Sequence, residues 1–292
     1  MYSLNKVGER TYYIDSHTNI GVFLADEGAW LIDSGGDSAA AKCALELIEG
    51  QGWRLAAVLH THSHSDHSGG AAYLREKTGC MVYAPRTEAA VISNPLIQPT
   101  YLYGGFPVGE MRCKFLLSPQ CECLPITREI LPEGLELMPV AGHSLEMTAV
   151  KTCDDVWFLA DSLLSAQTLD RYRISFLYDI AEHLNTLERL ESIDGRLFIP
   201  SHCEPLDNIS ELIIKNRDAV HEVIGVIKRE CAGGLTADEV IERMFAVFGI
   251  KPYLMQYSLI GFTTRSYLAY LTAKGELKPR FDGTRLVWVT QE

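Results

Sequence analysis

The chain contains no run approaching the roughly 18 apolar residues that a bilayer-spanning helix needs, so no membrane partner is expected. Its opening stretch, Met1-Tyr2-Ser3-Leu4-Asn5-Lys6, lacks the apolar segment of an export signal, and the cytoplasm is the expected compartment. Positive charge is scarce. With 26 Lys and Arg against 38 Asp and Glu the net charge is -12, which argues against bulk attraction to nucleic acid or to anionic membrane. The eight cysteines are scattered, with only Cys121 and Cys123 close together, so they read as reduced thiols rather than a disulfide framework. Internal repeats and low-complexity tracts are also absent. What remains is a chain of 292 residues, 47% hydrophobic and 22% charged: enough for one large globular domain, or for one domain with an appendage.

Against that plain background one segment stands out. His62-Ser63-His64-Ser65-Asp66-His67 packs three imidazoles and a carboxylate into six residues, directly after the apolar run Leu55 to Leu59. Imidazole and carboxylate are the donors that zinc and similar divalent ions favour at catalytic sites. Burying such groups without partners is costly, which makes a purely structural role a poor explanation. Other apolar runs end in the same way. Trp30 to Ile32 leads to Asp33-Ser34-Gly35-Gly36, and Leu135 to Val140 leads to Gly142-His143-Ser144. Val156 to Ala160 leads to Asp161, and Leu197 to Pro200 leads to Ser201-His202. Helical patterns fall between them at Ser38 to Gly50, Gly70 to Lys77 and Ala181 to Ile193, so a layered α/β fold with an N-terminal meander is expected. Strand ends brought side by side converge on one sheet edge. Five His and two Asp are then too many for one catalytic ion and suit two ions sharing a bridging water.

His-x-His-x-Asp-His, then Gly-His-Ser, then an Asp closing a strand, then Ser-His resembles the metallo-β-lactamase-fold hydrolases, and Ile32-Asp33-Ser34-Gly35 resembles that family's early turn. The resemblance runs over about residues 10 to 207. It implies a four-layer αβ/βα sandwich, with His62, His64 and His143 on one metal, Asp66, His67 and His202 on the other, and Asp161 bridging. It also implies a hydrolase of the glyoxalase-like or lactonase-like branch. Two divalent ions are expected, zinc foremost with iron or manganese as alternatives. Their activated hydroxide would attack a small-molecule ester-type bond, a thioester or lactone for preference. Asp66 is the expected catalytic group, orienting the nucleophile and passing its proton to the leaving group. Tyr178 and Tyr103 are the expected substrate contacts. A mononuclear iron sulfur-dioxygenase of the same fold, a phosphodiesterase or nuclease, and a DNA-binding regulator are the rival readings.

Other residues carry blander expectations. Asp33 reads as a group that supports a ligand from behind or shapes a turn. His17, His60, His183 and His221 read as ordinary polar residues, and Cys203 as a small buried hydrophobe. Residues 93–131, rich in Pro and aromatics, break the α/β alternation and read as a surface insertion or as a loop covering the site. From residue 208 to 292 the chain turns helical. The stretch Ile209 to Lys228 is amphipathic, Thr236-Ala237-Asp238-Glu239 is a capping box, and Ser258 to Ala273 reads as a helix. Strands flanking Asp282-Gly283 form a hairpin signal. Helices followed by a hairpin give a winged-helix-like extension, expected to serve as a homodimer contact or as a wall of the site.

Overall fold

The computed structural model describes residues 2–291. Seven strands pair in chain order in one sheet: β1 (Ser3–Lys6), β2 (Thr11–Asp15), β3 (Ile20–Ala25), β4 (Gly28–Ile32), β5 (Leu55–Leu59), β6 (Met81–Ala84) and β7 (Leu124–Pro125). β1 through β4 pair antiparallel with one another, and β4 through β7 pair parallel. A second sheet holds β8 (Leu135–Pro139), β9 (Thr148–Thr152), β10 (Val156–Ala160) and β11 (Leu197–Pro200), with β10 and β11 parallel. Alternation along each strand explains why the two sheets face each other. Trp30 and Ile32 of β4 meet Val156 and Phe158 of β10 in an inter-sheet core, whereas Ala29 and Leu31 and, across the molecule, Trp157 and Leu159 turn outward under helices. Every residue of β10 is buried, as expected for a strand covered on both faces.

The outer layer of the first sheet is built from α1 (Ser38–Gly50), the short turn α2 (Ser65–Ser68), α3 (Ala71–Thr78) and α4 (Arg86–Ser93). Asp37 caps α1 by accepting from the amides of Ala39 and Ala40. Within the insertion, α5 (Ile97–Tyr103) tolerates Pro99 because that residue lies in the first turn, where its missing N–H has no acceptor to lose. On the second sheet lie α7 (Ile180–Glu191) and the start of α8 (Ser210–Glu230), with the short α6 (Ala166–Tyr172) against α8. The expected αβ/βα layering is therefore present.

Beyond it, α9 (Ala237–Phe248), opened by the Thr236–Glu239 capping box, and α10 (Leu254–Ala273) lead into a hairpin of β12 (Leu277–Asp282) and β13 (Arg285–Thr290). α10 begins earlier than its sequence pattern suggests and is apolar around most of its circumference. Ile260, Tyr267, Leu268 and Leu271 join a C-terminal core, while Met255, Leu259 and Phe262 pack towards the insertion. The same core takes in Ile174, Leu177 and Ile180 from the segment leading into α7. Among the described residues no helix is long and apolar enough to cross a membrane.

Candidate metal centre

All the expected donors gather at one edge of the two sheets, where β4, β5, β8, β10 and β11 end. Two features re-aim the chain there. Ala160 has a positive φ of 53° beside an irregularity in the β10–β11 pairing, and this turns Asp161 inward. Gly142, at φ +124°, lies so close to α7 that an added Cβ would stand 2.4 Å from the His183 amide nitrogen. Hydrogen bonds fasten the sheets together at this edge. The Thr148 amide donates to the Thr61 carbonyl (3.1 Å), and Asn19 Nδ2 donates to the carbonyls of Pro200 (2.9 Å) and Cys203 (2.8 Å).

Four imidazoles have their tautomer fixed from behind. His143 Nδ1 lies 3.0 Å from the Phe176 carbonyl and His202 Nδ1 lies 3.1 Å from the His17 carbonyl. A carbonyl only accepts, so both rings donate through Nδ1 and present Nε2 to the centre. His67 Nδ1 donates in the same way to Asp33 Oδ2 at 2.8 Å. His62 Nδ1 sits 3.0 Å from the Thr61 hydroxyl, whose single proton goes to Asp33 Oδ2 at 2.9 Å; His62 must therefore donate. Asp33 thus supports two rings, one directly and one through Thr61, while also accepting from the Thr61 amide at 2.8 Å.

The inward-facing atoms form two sets. His64 Nδ1 stands 3.1 Å from His62 Nε2 and 2.9 Å from His143 Nε2. Since the other two nitrogens are lone pairs and His64 Nδ1 can donate to only one of them, three neutral rings leave a lone pair facing a lone pair. Asp66, His67, Asp161 and His202 form the second set, with His202 Nε2 3.1 Å from Asp66 Oδ2 and His67 Nε2 3.3 Å from Asp161 Oδ1. Asp161 spans the two sets, its Oδ2 lying 3.4 Å from His143 Nε2 and 3.5 Å from His202 Nε2. His67 Nε2 and Asp161 Oδ1 are buried without a hydrogen-bond partner. Orphaned donors and opposed lone pairs fit a cation at each set far better than they fit a closed polar core.

Electrostatics divides the centre in the same place. Burial, helped by neighbouring imidazoles, pushes His62 well below its usual range. Burial also lowers His64 and His143 to about 4, against the partial opposition of Asp66 and Asp161. Burial works against charge on His67 and His202 too, but there the carboxylates of Asp161, Asp33 and Asp66 prevail. His67 is raised well above its ordinary value and His202 reaches about 10. Burial alone would raise the carboxyls of Asp33, Asp66 and Asp161; the facing imidazoles outweigh it and hold all three below the usual range. The field at the second set is thus strongly negative and favours positive charge there.

A family model described as the metallo-beta-lactamase superfamily matches residues 13–202. The chain belongs to that superfamily. Within the metallo-β-lactamase superfamily its curated relatives are named hydroxyacylglutathione hydrolase. One from Rhodopseudomonas palustris (strain BisB18) is 30% identical over 151 residues, covering 49% of this chain and 50% of the relative. Another from Nitrobacter winogradskyi is 41% identical over 58 residues, covering 20% and 23%. The chain thus spans half or less of the length of these relatives. Among solved structures, a beta-lactamase domain protein from Burkholderia ambifaria has a TM-score of 0.75 at 18% identity, covering 99% of this chain and 94% of that one. A metallo-beta-lactamase family protein from Thermus thermophilus has a TM-score of 0.71 at 17% identity, covering 100% and 98%. At that identity the likeness concerns the fold, which in both cases extends through the C-terminal helices and hairpin.

A cleft of about 710 Å³ opens over the centre and reaches His64, Asp66, His143, Asp161 and His202. Its walls come from the insertion (Gln98, Phe115, Leu116), from residues 164–176 and from the first half of α10. Tyr103 and Tyr178 do not line it. Tyr103 is exposed on α5, and Tyr178 is exposed and stacks on Phe262, which in turn stacks on Phe176. The aromatic that faces the donors is Phe176, whose ring centre lies 5.5 Å from that of His64. Sequence reasoning also passed over Glu88. Its carboxylate is fully buried and accepts from the amides of Ser63 (3.0 Å) and Glu146 (2.8 Å) and from the Ser144 hydroxyl. The loops carrying His62, His64 and His143 are thereby pinned to α4. Nothing in Arg86-Thr87-Glu88-Ala89-Ala90 separates this glutamate from a solvated one, so no signal in the sequence could have found it.

Proposed function

We propose that this protein is a hydrolase of ester-type bonds, with a thioester favoured over a lactone, working with two divalent cations of which zinc is the expected identity. The observation that carries the reading is the pair of adjacent donor sets joined through Asp161. His62, His64 and His143 would hold one ion, Asp66, His67 and His202 the other, and Asp161 would be shared. Neutral imidazole with carboxylate suits zinc, and iron or manganese accept the same donors. Bound there, the ions would supply a water acidified towards neutrality and a Lewis acid for the substrate's carbonyl oxygen.

The chain's own residues do the rest. Asp66, whose side chain is 36% exposed and lines the cleft, is placed to orient the attacking water and to take its proton. Phe176 and the α10 wall exclude bulk water from the carbonyl. In the reaction the water oxygen bonds to the carbonyl carbon, the carbon–sulfur bond breaks, and the sulfur leaves with the bonding pair. With an ion held by Asp66, His67 and His202, the Asp66 carboxyl would stay ionised and seldom carry a proton to offer a leaving group. That favours a leaving group such as a thiolate, with a parent pKa of about 8.5, which departs without a strong proton donor. The names of the curated relatives support the same bond type, since a hydroxyacylglutathione is a thioester. Metal analysis of the purified protein, followed by hydrolysis assays on thioesters, lactones and phosphodiesters, tests the reading. Thioester cleavage that stops on chelation and returns with zinc is the expected result. One iron per chain with oxygen uptake, or turnover indifferent to chelation, would overturn it.

A further inference from the structure

Two cavities meet at the centre, and they differ in chemistry. The larger is walled by Leu116, Ile174, Phe176, Met255, Leu259 and Ile260; Leu116, Ile174 and Ile260 are at most 5% exposed, so this wall is packed and apolar. Apart from the donors, its one Lys or Arg is the exposed Arg171, whose guanidinium lies 5.3 Å from the Tyr172 ring centre. Phe176 brings this wall against His64 and His143, with ring centres 5.5 and 5.7 Å away. The smaller cavity, about 540 Å³, lies beyond His202 and is bordered by Asp15, Asn19, Glu204, Asn208, Glu211 and Lys215. Three carboxylates against one ammonium make it a negative, hydrogen-bonding space. His17, Ser165, Gln167 and His202 border both cavities, so the two adjoin at His202.

We propose that the substrate straddles this junction, with an apolar acyl group against the Phe176–Leu259 wall and a polar leaving thiol, neutral or cationic rather than anionic, in the cavity beyond His202. The inference rests on the hydrolase reading and deepens it by naming the substrate's two halves. The order of the halves follows from the walls. An apolar chain gains from leaving water only on the Phe176 side, by about threefold to fourfold per buried methylene. A thiol bearing carboxylates would meet Asp15, Glu204 and Glu211 on the other side. The insertion and α10, which lie outside the parts of the fold that carry the donors, therefore act as the acyl-selecting elements.

The test uses the full-length zinc-loaded protein. Thioesters of N-acetylcysteamine, a neutral polar thiol, are compared from acetyl through octanoyl. The prediction is that kcat/KM climbs at least tenfold across the series. Octanoyl on mercaptopropionate, an anionic thiol, is expected to be cleaved at least fivefold less efficiently than on N-acetylcysteamine, and Glu211→Lys to narrow that ratio. Leu259→Trp, with Met255→Trp as an independent second variant, should fill the apolar cavity and move the preferred chain to a shorter one. Rates flat with chain length, or an optimum unmoved by both tryptophan variants, contradict the inference while leaving the hydrolase reading intact. If no thioester is cleaved, it is the reaction that fails. Calorimetry of octanoate against acetate on the same protein then decides the cavity's preference, tighter octanoate supporting it and equal binding overturning it.

Discussion

Asp33 shows how much of the centre depends on a residue that touches no substrate. It sits at φ 67°, a left-handed conformation that Asn and Asp adopt more readily than other side chains, and it holds two imidazoles in the tautomer that presents Nε2. Asp33→Asn keeps size and backbone preference but can offer one acceptor oxygen to donors that now face two. The expected outcome is a folded protein whose zinc affinity falls by about 10–100-fold in a calorimetric titration after chelator stripping; unchanged affinity would contradict the assignment. Much of the donor set was legible in the sequence because each candidate follows an apolar run and strand ends converge. The supporting role of Asp33 was readable only in outline, since its partners lie 28 and 34 positions away. Glu88 was not readable at all. Its burial depends on α4 docking under loops that lie 25 residues before it and 56 residues after it. Glu88→Ala leaves buried donors unpaired, each costing on the order of 1–3 kcal/mol. Zinc binding at the His62, His64 and His143 set should weaken more than at the other set, as resolved by two-step titration with cobalt absorption. Equal loss at both sets would mean the clamp is merely structural.

At the scale of elements, the centre depends on α7 coming close behind the His143 loop. The approach requires Gly142, whose positive φ and contact with the His183 backbone leave no room for a side chain. Gly142→Ala is expected to lower the thermal midpoint by several degrees and to weaken metal retention together with it, because the Gly142 carbonyl also accepts from the amides of Tyr178 and Asp179 at the start of α7. Wild-type unfolding and retention would show that the loop adapts. The elements that the sequence pattern missed share a physical cause. β9 is short and mixes Thr and Lys with apolar residues, so its pairing on both sides rather than its composition makes it a strand. α5 is hidden by Pro99, which signals a break unless its first-turn position is known. α10 starts early because Met255 and Leu259 find apolar partners in the insertion, a tertiary contact that local pattern cannot reveal.

For the whole molecule, we propose a boundary near residue 208 between the superfamily's sandwich and the C-terminal extension. The two are coupled by the core that Ile174, Leu177 and Ile180 share with α8–α10. Charge distribution sets the stability profile of the metal-free protein. His64 and His143, lowered to about 4, and His183, lowered by burial to about 3, refuse protons that the unfolded chain accepts below about 6.5. Stability therefore falls as pH drops from there. His202, raised to about 10, and His67 retain protons that the unfolded chain sheds, so their pairing with Asp66 and Asp161 is lost as pH rises through that range. Each group contributes up to roughly 1.4 kcal/mol per pH unit over its window. Thermal unfolding of chelator-stripped protein should peak near pH 6.5 and decline on both sides, and zinc should remove the alkaline decline by taking the place of those two protons. A midpoint rising steadily to pH 9 without metal would refute the charge assignment.

The central claim, two cations joined through Asp161 and acting on an ester-type bond, is tested most directly by titrating stripped protein with zinc while thioester hydrolysis is recorded. The account predicts that activity rises to its maximum as bound zinc reaches two per chain, and that Asp161→Asn, still folded, fails to reach that stoichiometry. Full activity at one zinc per chain, or an Asp161→Asn protein with unchanged zinc content and rate, would contradict it.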